Sequence, residues 1–319
     1  MSENLVEIVE ALKAFKEGRL VAIPTETVYG LAAPLNRLDL IQKIFELKKR
    51  PINNPLIVHV SSIQMAKKLS SFWPDYLDDL LAQYWPGPLS VLVPKNQNVP
   101  DLVTASLPLV ALRMPKSKLT LSLIDQLQSA IVAPSANPYM KVSPTKPEHV
   151  ESYFSSDGVY VLDGGPCDVG IESTIVRADK RKITLVRKGT ITSNKLELYC
   201  NSKNINFDIS TNGEAASPGQ HERHYQPHVP LVVFKNKGTI EQALNELQKV
   251  TRIPYSYGCE IFISTDSEIA AKNLYQTFHQ IDQNAKFVFL QLNGIVDRYP
   301  AIWEGVWDRI KRAATIVVE

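Results

Sequence analysis

Two fixed cations, Lys48 and Arg50, stand beside a chain reversal marked by Pro51, Asn53, Asn54 and Pro55 in KKRPINNPLIVHV (48–60). Cations next to backbone amides suit a polyphosphate. A solvated helix end also favours basic residues, and on residue type alone both readings stand. His59 follows within an apolar strand, where a lone histidine is more often a satisfied core residue than a ligand. Arg113 interrupts another apolar strand, VALRMP (110–115). Arginine is rarely buried unpaired, so its partner is either a structural carboxylate or a bound anion, for which a ligand carboxylate held bidentately is a natural candidate.

Neutral donors cluster elsewhere. APSANPYMKVSPT (133–145) carries Ser135, Asn137, Ser143 and Thr145, stiffened by Pro134, Pro138 and Pro144. PTETVYGLAA (24–33) puts Thr25 and Thr27 after a strand, with Gly30 allowing close backbone approach; its local pattern reads as a strand–turn–helix corner. In DGGPCDVGIESTIVR (163–177), Ser173 and Thr174 open a strand. Cys167 reads as a passive thiol, because no histidine lies near it in sequence. His221, His224 and His228 are spaced i, i+3, i+7, but Pro218, Gly219, Pro227 and Pro230 forbid a helix that would align them on a metal. That segment reads instead as a lid reaching over a site. No P-loop, GxSxG or HExxH motif is present.

These residues need a scaffold. At roughly 150 residues per domain, 319 residues suggest two domains. Composition is ordinary for a globular chain, at 44% hydrophobic and 21% charged. No apolar run approaches the ~18 residues of a membrane span, and the start lacks the pattern of a signal peptide. Three scattered cysteines fit a reducing cytoplasm. Residues 1–205 hold 24 Lys+Arg against 20 Asp+Glu, and residues 206–319 hold 11 against 13. That excess is weak evidence for nucleic acid and better evidence for one cationic cluster holding an anion.

A first helix is expected from a Ser2 cap to Gly18, and another over 38–49. Strands are expected at 20–23, 56–60, 90–94, 110–114, 130–134, 158–162, 173–177 and 182–187. Helices near 62–70, 74–84, 117–129 and 146–154 separate some of them. Several strands follow one another without a helix, which favours a mixed sheet. Residues 199–230 are polar and aperiodic. Strands at 230–234, 260–264, 286–292 and 315–319 then alternate strictly with helices, as in a small βαβ domain. The fold class is therefore α/β: a twisted mixed sheet with helices (1–205), a linker or lid (206–229), and a small Rossmann-like domain (230–319).

Taken together, PTETVYGL, KKRP…NPLIVHV, YWPGPLS, ALRMP, APSAN, GIESTIVR and SPG…HY…P resemble the YrdC-type threonylcarbamoyl-AMP synthases in their longer two-domain form. The DRIKRAA ending (308–314) is similar to the extra domain of that form. The resemblance implies a YrdC-like fold and the joining of L-threonine, bicarbonate and ATP to give threonylcarbamoyl-AMP and pyrophosphate, for threonylcarbamoyladenosine modification of tRNA. Its K-x-R…S-x-N signature falls on Lys48, Arg50, Ser135 and Asn137, the implied catalytic set. Thr27, His59, Arg113, Ala133 and Ser173 would line the threonine pocket. Arg50, Asn54, Leu109, Ser135, Ser143, Arg187, Ser217, His221 and Tyr225 would line the ATP site. Mg²⁺ would be carried by ATP, with no protein metal site. The implied partners are the small-molecule substrates, a downstream tRNA threonylcarbamoyl-transferase complex and at most a weak contact with tRNA, with no membrane.

The sequence departs from the family at Gln220-His221, where Met-Lys is usual, and at Pro138-Tyr139-Met140-Lys141, where the loop usually runs Ser-Gly. Two other readings compete. An RNA-binding, translation-associated module without synthase activity is opposed by the near-neutral charge. A carbamoyl-transfer domain is opposed by the absence of zinc-finger-type cysteines.

Overall fold

The computed structural model describes residues 3–210, 223–252 and 257–319. Ser2, Ser217 and His221 lie outside the described residues.

Ten strands form the first sheet: β1 (Val21–Ile23), β2 (Gly30–Pro34), β3 (Ile57–His59), β4 (Leu89–Pro94), β5 (Leu109–Arg113), β6 (Ile131–Val132), β7 (Tyr160–Val161), β8 (Thr174–Asp179), β9 (Lys182–Arg187) and β10 (Asn206–Ile209). Their order is β10-β9-β8-β4-β5-β3-β6-β2-β1-β7. Parallel pairs (β3 with β5, β4 with β8) alternate with antiparallel ones (β4 with β5, β8 with β9), so the sheet is mixed, as expected. Its helices are α1 (Glu3–Lys16), α2 (Leu38–Lys48), α3 (Ile63–Lys67), α4 (Leu77–Tyr84), α5 (Asp101–Thr104), α6 (Lys118–Leu127), α7 (Pro147–Phe154) and α8 (Ser193–Ser202). Ser62, Ser117 and Thr192 cap α3, α6 and α8 by accepting from a backbone N–H of the first turn.

Two expectations are corrected. Residues 24–33 are a strand–turn–strand, not a strand–turn–helix corner: β2 returns antiparallel along β1 and pairs on its other side with β6. Thr25 drives the reversal by donating to the Val28 carbonyl at 2.6 Å and accepting from the Val28 N–H. Residues 206–209, expected in the linker, form β10 on the sheet edge beside β9. α8 and β10 escape periodicity because one is mostly polar and the other mostly exposed.

The second sheet is β11 (Leu231–Phe234), β12 (Gly258–Ile261), β13 (Phe287–Gln291) and β14 (Ile316–Val318), with α9 (Ile240–Thr251), α10 (Ser267–His279), α11 (Ile295–Arg298) and α12 (Pro300–Ala313). All pairs are parallel in the order β12-β13-β11-β14, the architecture expected from strict alternation. Trp303 on α12 is buried in this domain's core, and Trp307 packs beside it under Lys235 and Lys311.

The two sheets' units are docked by backbone as well as side chains. A Cβ on Gly305 of α12 would fall 2.4 Å from the Gly189 carbonyl, so glycine there permits the helix to seat against the end of the first sheet. The neighbouring Glu304 accepts from the Ser193 hydroxyl at 2.9 Å and from the Ser193 N–H.

Candidate active site

α2 ends at Lys48, and Lys49 takes a left-handed conformation (φ 52°) that turns the chain sharply. Lys49 is exposed, but Lys48 and Arg50 on either side are buried. The solvated-helix-end reading therefore fails for those two cations. Arg50 is fixed by its own reversal. Its Nε donates to the Asn54 carbonyl (3.2 Å), and its Nη2 donates to Asn54 Oδ1 (2.7 Å) and to the Pro55 carbonyl (2.8 Å). Burial lowers its pKa to about 10, still well above neutrality, so it stays cationic.

Lys48 points elsewhere. Its Nζ donates to the Ser135 carbonyl at 2.6 Å and to the Asn137 carbonyl, stapling the 133–141 loop to α2. Burial, with Arg50 nearby, pushes its pKa well below the ordinary lysine value. Asn137 donates to the Pro138 and Lys141 carbonyls and braces the same loop. Gly30 admits this loop: a Cβ there would meet the Ala133 Cβ at 2.9 Å. Replacing Lys48 with Met is expected to orphan two buried carbonyls, at about 1–3 kcal/mol each. Denaturant titration should show that loss together with lower activity. A variant with wild-type stability would remove the stapling role.

The loop, β1–β2 and the ends of β3 and β5 enclose a cleft of about 570 Å³, counting its solvent-open part. Of the residues read from sequence, Thr27, Arg50, His59, Arg113, Ala133, Ser135, Arg187 and Tyr225 line it together. His59 and Arg113 are register partners on adjacent parallel strands, which puts them side by side. Lys48, Asn54, Asn137, Ser143 and Ser173 stand behind the lining. Ser173 shares a hydrogen bond with Ser90 (2.8 Å) and accepts from Arg187 Nη2 (3.0 Å), while its carbonyl accepts from Arg187 Nε (3.0 Å). Leu109 opens β5 and packs beside Ile57, Leu92, Ala111 and Ile175.

The electrostatics centre on arginines and on two carboxylates that motif reading missed. Arg113 Nη2 lies 2.8 Å from Glu26 Oε1, an ion pair without hydrogen-bond geometry, and Arg113 Nε donates to the Gly87 carbonyl at 3.3 Å. The alternative left open for Arg113 thus resolves partly to a structural carboxylate. Glu172 lines the cleft and has both oxygens engaged. Oε1 accepts from Ser143 (2.7 Å), and Oε2 accepts from Tyr275 (2.8 Å) and from Arg309 Nε (2.7 Å). Burial alone would raise its pKa, but Arg309, Arg187 and the Ser143 bond outweigh burial and hold it down at about 2. Both carboxylates sit inside motifs already singled out, PTETVYG and GIESTIVR. Asking which carboxylate balances each buried arginine would have found them.

The 223–226 segment covers one side. Tyr225 is buried with φ 62°, and the Arg309 guanidinium lies 5.4 Å from its ring centroid. The segment is tied to both units: His224 N–H donates to the Arg312 carbonyl (3.0 Å) and Gln226 N–H to the Met140 carbonyl (2.9 Å). Three buried atoms of cleft-lining residues, His59 Nδ1, Arg113 Nη2 and His224 Nδ1, have no hydrogen-bond partner among the described residues. Cys167 is buried with its thiol pushed up to about 12 by burial, which suits a passive role. Among the described residues no three His, Cys, Asp or Glu side chains gather as a metal site, and no helix is long and apolar enough to cross a membrane.

Comparison with known proteins places the chain in a family. The Sua5–YciO–YrdC family profile, which carries the description telomere recombination, matches residues 13–189. The chain belongs to that family. The profile of the threonylcarbamoyl-AMP synthase C-terminal domain matches residues 191–315. A threonylcarbamoyl-AMP synthase of Pyrococcus abyssi is 33% identical over 313 residues, covering 94% of this chain and 91% of its own. One from Bacillus subtilis is 37% identical over 252 residues, covering 78% and 73%. The crystal structure of P. abyssi Sua5 complexed with L-threonine superposes with a TM-score of 0.80 at 28% identity, covering 99% of this chain and 97% of that one. The chain is thus a two-domain Sua5-type member, with the twisted mixed sheet and small parallel sheet of that architecture.

Proposed function

We propose that this chain makes threonylcarbamoyl-AMP from L-threonine, bicarbonate and ATP, releasing pyrophosphate, and that its product feeds tRNA modification by a separate transferase complex. The observation that carries the reading is the cleft lining, on which His59 Nδ1 and His224 Nδ1 are buried without a hydrogen-bond partner among the described residues. A buried polar group without a partner costs about 1–3 kcal/mol, so these sites await a polar ligand. Beside them stand Arg113, suited to a carboxylate, and Arg50 and Arg187, suited to phosphates.

In this reading Arg113 takes the threonine carboxylate, and Thr27, His59 and the Ala133 backbone surround the amino acid. The amine adds to carbon dioxide derived from bicarbonate, losing a proton to give the carbamate. A carbamate oxygen then attacks the α-phosphorus, and pyrophosphate leaves. Phosphoryl chemistry of this kind rests on positioning and on cations facing the oxygens, which a site of Arg, Ser and Thr without a Ser–His pair can supply. Glu172 already accepts from three protein donors, and magnesium arrives with ATP as part of that substrate. The 223–226 cover excludes water from a labile carbamate and anhydride.

The test is pyrophosphate release from ATP, omitting threonine and bicarbonate in turn and substituting serine. Release requiring both is expected. No release under any combination, from folded protein that binds ATP, would overturn the proposal in favour of an RNA-binding module.

A further inference from the structure

The second unit buries one charged side chain completely, and that side chain belongs to the cleft. Arg309 of α12 is 0% exposed. Its Nε donates to Glu172 Oε2 and its Nη2 contacts the Glu172 carbonyl oxygen at 3.4 Å, while Nη1 pairs with Asp308 at 2.6 Å. Glu172 in turn accepts from Ser143, and Tyr275 of α10 joins from the same side as Arg309. A single carboxylate on the cleft wall is therefore clasped by two helices of the second unit and one loop of the first.

The placement of that carboxylate poses an electrostatic problem. Glu172 lines the same cleft as Arg50 and Arg187. In a poorly screened interior an uncompensated carboxylate would repel a polyphosphate and would compete for the Arg187 guanidinium. Arg309 approaches Glu172 from behind, through the second unit, and is absent from the cleft lining. It neutralises the carboxylate without occupying ligand space. The same guanidinium supports the buried face of Tyr225 in the cover segment.

We propose that Arg309 is a positioning residue through which the C-terminal domain tunes nucleotide binding: by pairing with Glu172 it offsets the negative charge that this carboxylate would otherwise set against the ATP phosphates, and it holds the carboxylate that fixes the Ser143 hydroxyl. The proposal rests on the nucleotide-binding part of the function proposed above. It gives the second domain a defined task, compensation of one charge, and needs no ligand of its own.

Charge compensation makes a prediction that simple packing does not. Arg309→Met removes the nearest cation from Glu172, leaves that carboxylate to draw on Arg187, and should weaken ATP binding at least tenfold, with threonine affinity changed less than threefold. Adding Glu172→Gln removes the offending charge, so Arg309→Met/Glu172→Gln should bind ATP within about threefold of the unsubstituted chain. Arg309→Lys keeps the charge and should also stay within threefold. Isothermal titration of the full chain with a non-hydrolysable ATP analogue, and separately with threonine, reads all three. A double variant no better than Arg309→Met would make Arg309 a structural residue and overturn the proposal, as would unchanged ATP affinity in Arg309→Met. Should Arg309→Met fail to fold, a folded Arg309→Lys that loses tenfold in ATP affinity overturns it equally. If the unsubstituted chain binds neither ATP nor threonine, the functional reading fails first, and the two failures are distinct.

Discussion

Arg113→Ala is expected to abolish threonine-dependent pyrophosphate release, with a fall of at least about 100-fold, and to destabilise the chain. The two effects have separate causes. Arg113 closes β5 beside His59 on β3 and lines the cleft, with its Nη2 in an ion pair with Glu26. Removing it deletes the group placed for the substrate carboxylate. Truncating one partner of a desolvated charge pair costs about 2–5 kcal/mol, which is the origin of the 100-fold figure. The second effect falls on Glu26. Its side chain is buried, Oε1 lies 2.8 Å from Arg113, and Oε2 accepts from the Lys116 N–H at 2.9 Å. Without Arg113 that carboxylate is left buried and uncompensated, at about 3–5 kcal/mol. Arg113→Ala/Glu26→Gln should recover most of the stability and none of the activity. Arg113→Lys keeps a charge but loses the fork that can hold Glu26 and a second carboxylate together, so it should raise the threonine KM while leaving the ATP KM nearly unchanged. Denaturant titration and steady-state kinetics on the three variants separate these effects. Full activity in Arg113→Ala would end the carboxylate assignment.

The same arginine shows how far sequence could carry the argument. An arginine inside an apolar strand announces a buried partner, and that much was legible at residue 113. Which partner it has depends on β1–β2 folding back to bring Glu26 alongside, and that reversal was hidden. GLAAP, with its glycine and proline, looks like a turn. It becomes β2 only because β1 and β6 lie on either side to pair with it. Lys48 shows a different limit. A basic residue beside a chain reversal suggested a phosphate ligand, but its ammonium is used by the Ser135 and Asn137 carbonyls, 87 and 89 residues away. The second unit was legible as architecture, since its central strands β11 and β13 are continuous apolar runs that alternate with helical stretches. Its reach into the cleft was not, because Arg309 and Glu172 lie 137 residues apart and neither breaks a local pattern.

Stability should fall steeply as pH drops below about 6.5, before the carboxylates begin to protonate. The cause is histidine burial. His59 and His224 are almost wholly buried, and burial, with Arg113 beside the first, brings each pKa down to about 3. For His224, burial is the largest cause; Glu172 pulls against it more strongly than any single cation pushes, and Arg50, Lys48 and Arg309 add to burial. His149 of α7 and His279 of α10 stack across the two units with ring centroids 3.8 Å apart. Burial, His279 and Lys146 lower His149 to about 4, and burial lowers His279. Each folded pKa lies below the ordinary value of about 6.5, so the unfolded chain binds more protons once pH falls below that value. Stability then declines with acidification at up to about 1.4 kcal/mol per pH unit for each fully buried histidine. His59 and His224 alone give roughly 3 kcal/mol in total between pH 6.5 and 5, against about 5–15 kcal/mol for a folded domain. Cation-paired carboxylates such as Glu172 add little in that window, because in the unfolded chain they reach half protonation only near pH 4.5. The two histidines differ in what their protonation releases. His59 sits in the middle of the sheet, whereas His224 is held by a short segment whose backbone is tied through the Arg312 and Met140 carbonyls. Acid should therefore free the 223–226 cover first, seen as lost ATP affinity near pH 5.5, and unfold the sheet at lower pH. Denaturant titrations at pH 7.5, 6.5 and 5.5, with ATP binding at each, read both steps. Equal stability at all three would mean that these imidazoles are not held neutral by the fold. In His224→Asn the loss of ATP affinity between pH 7.5 and 5.5 should shrink while the loss of stability carried by His59 remains.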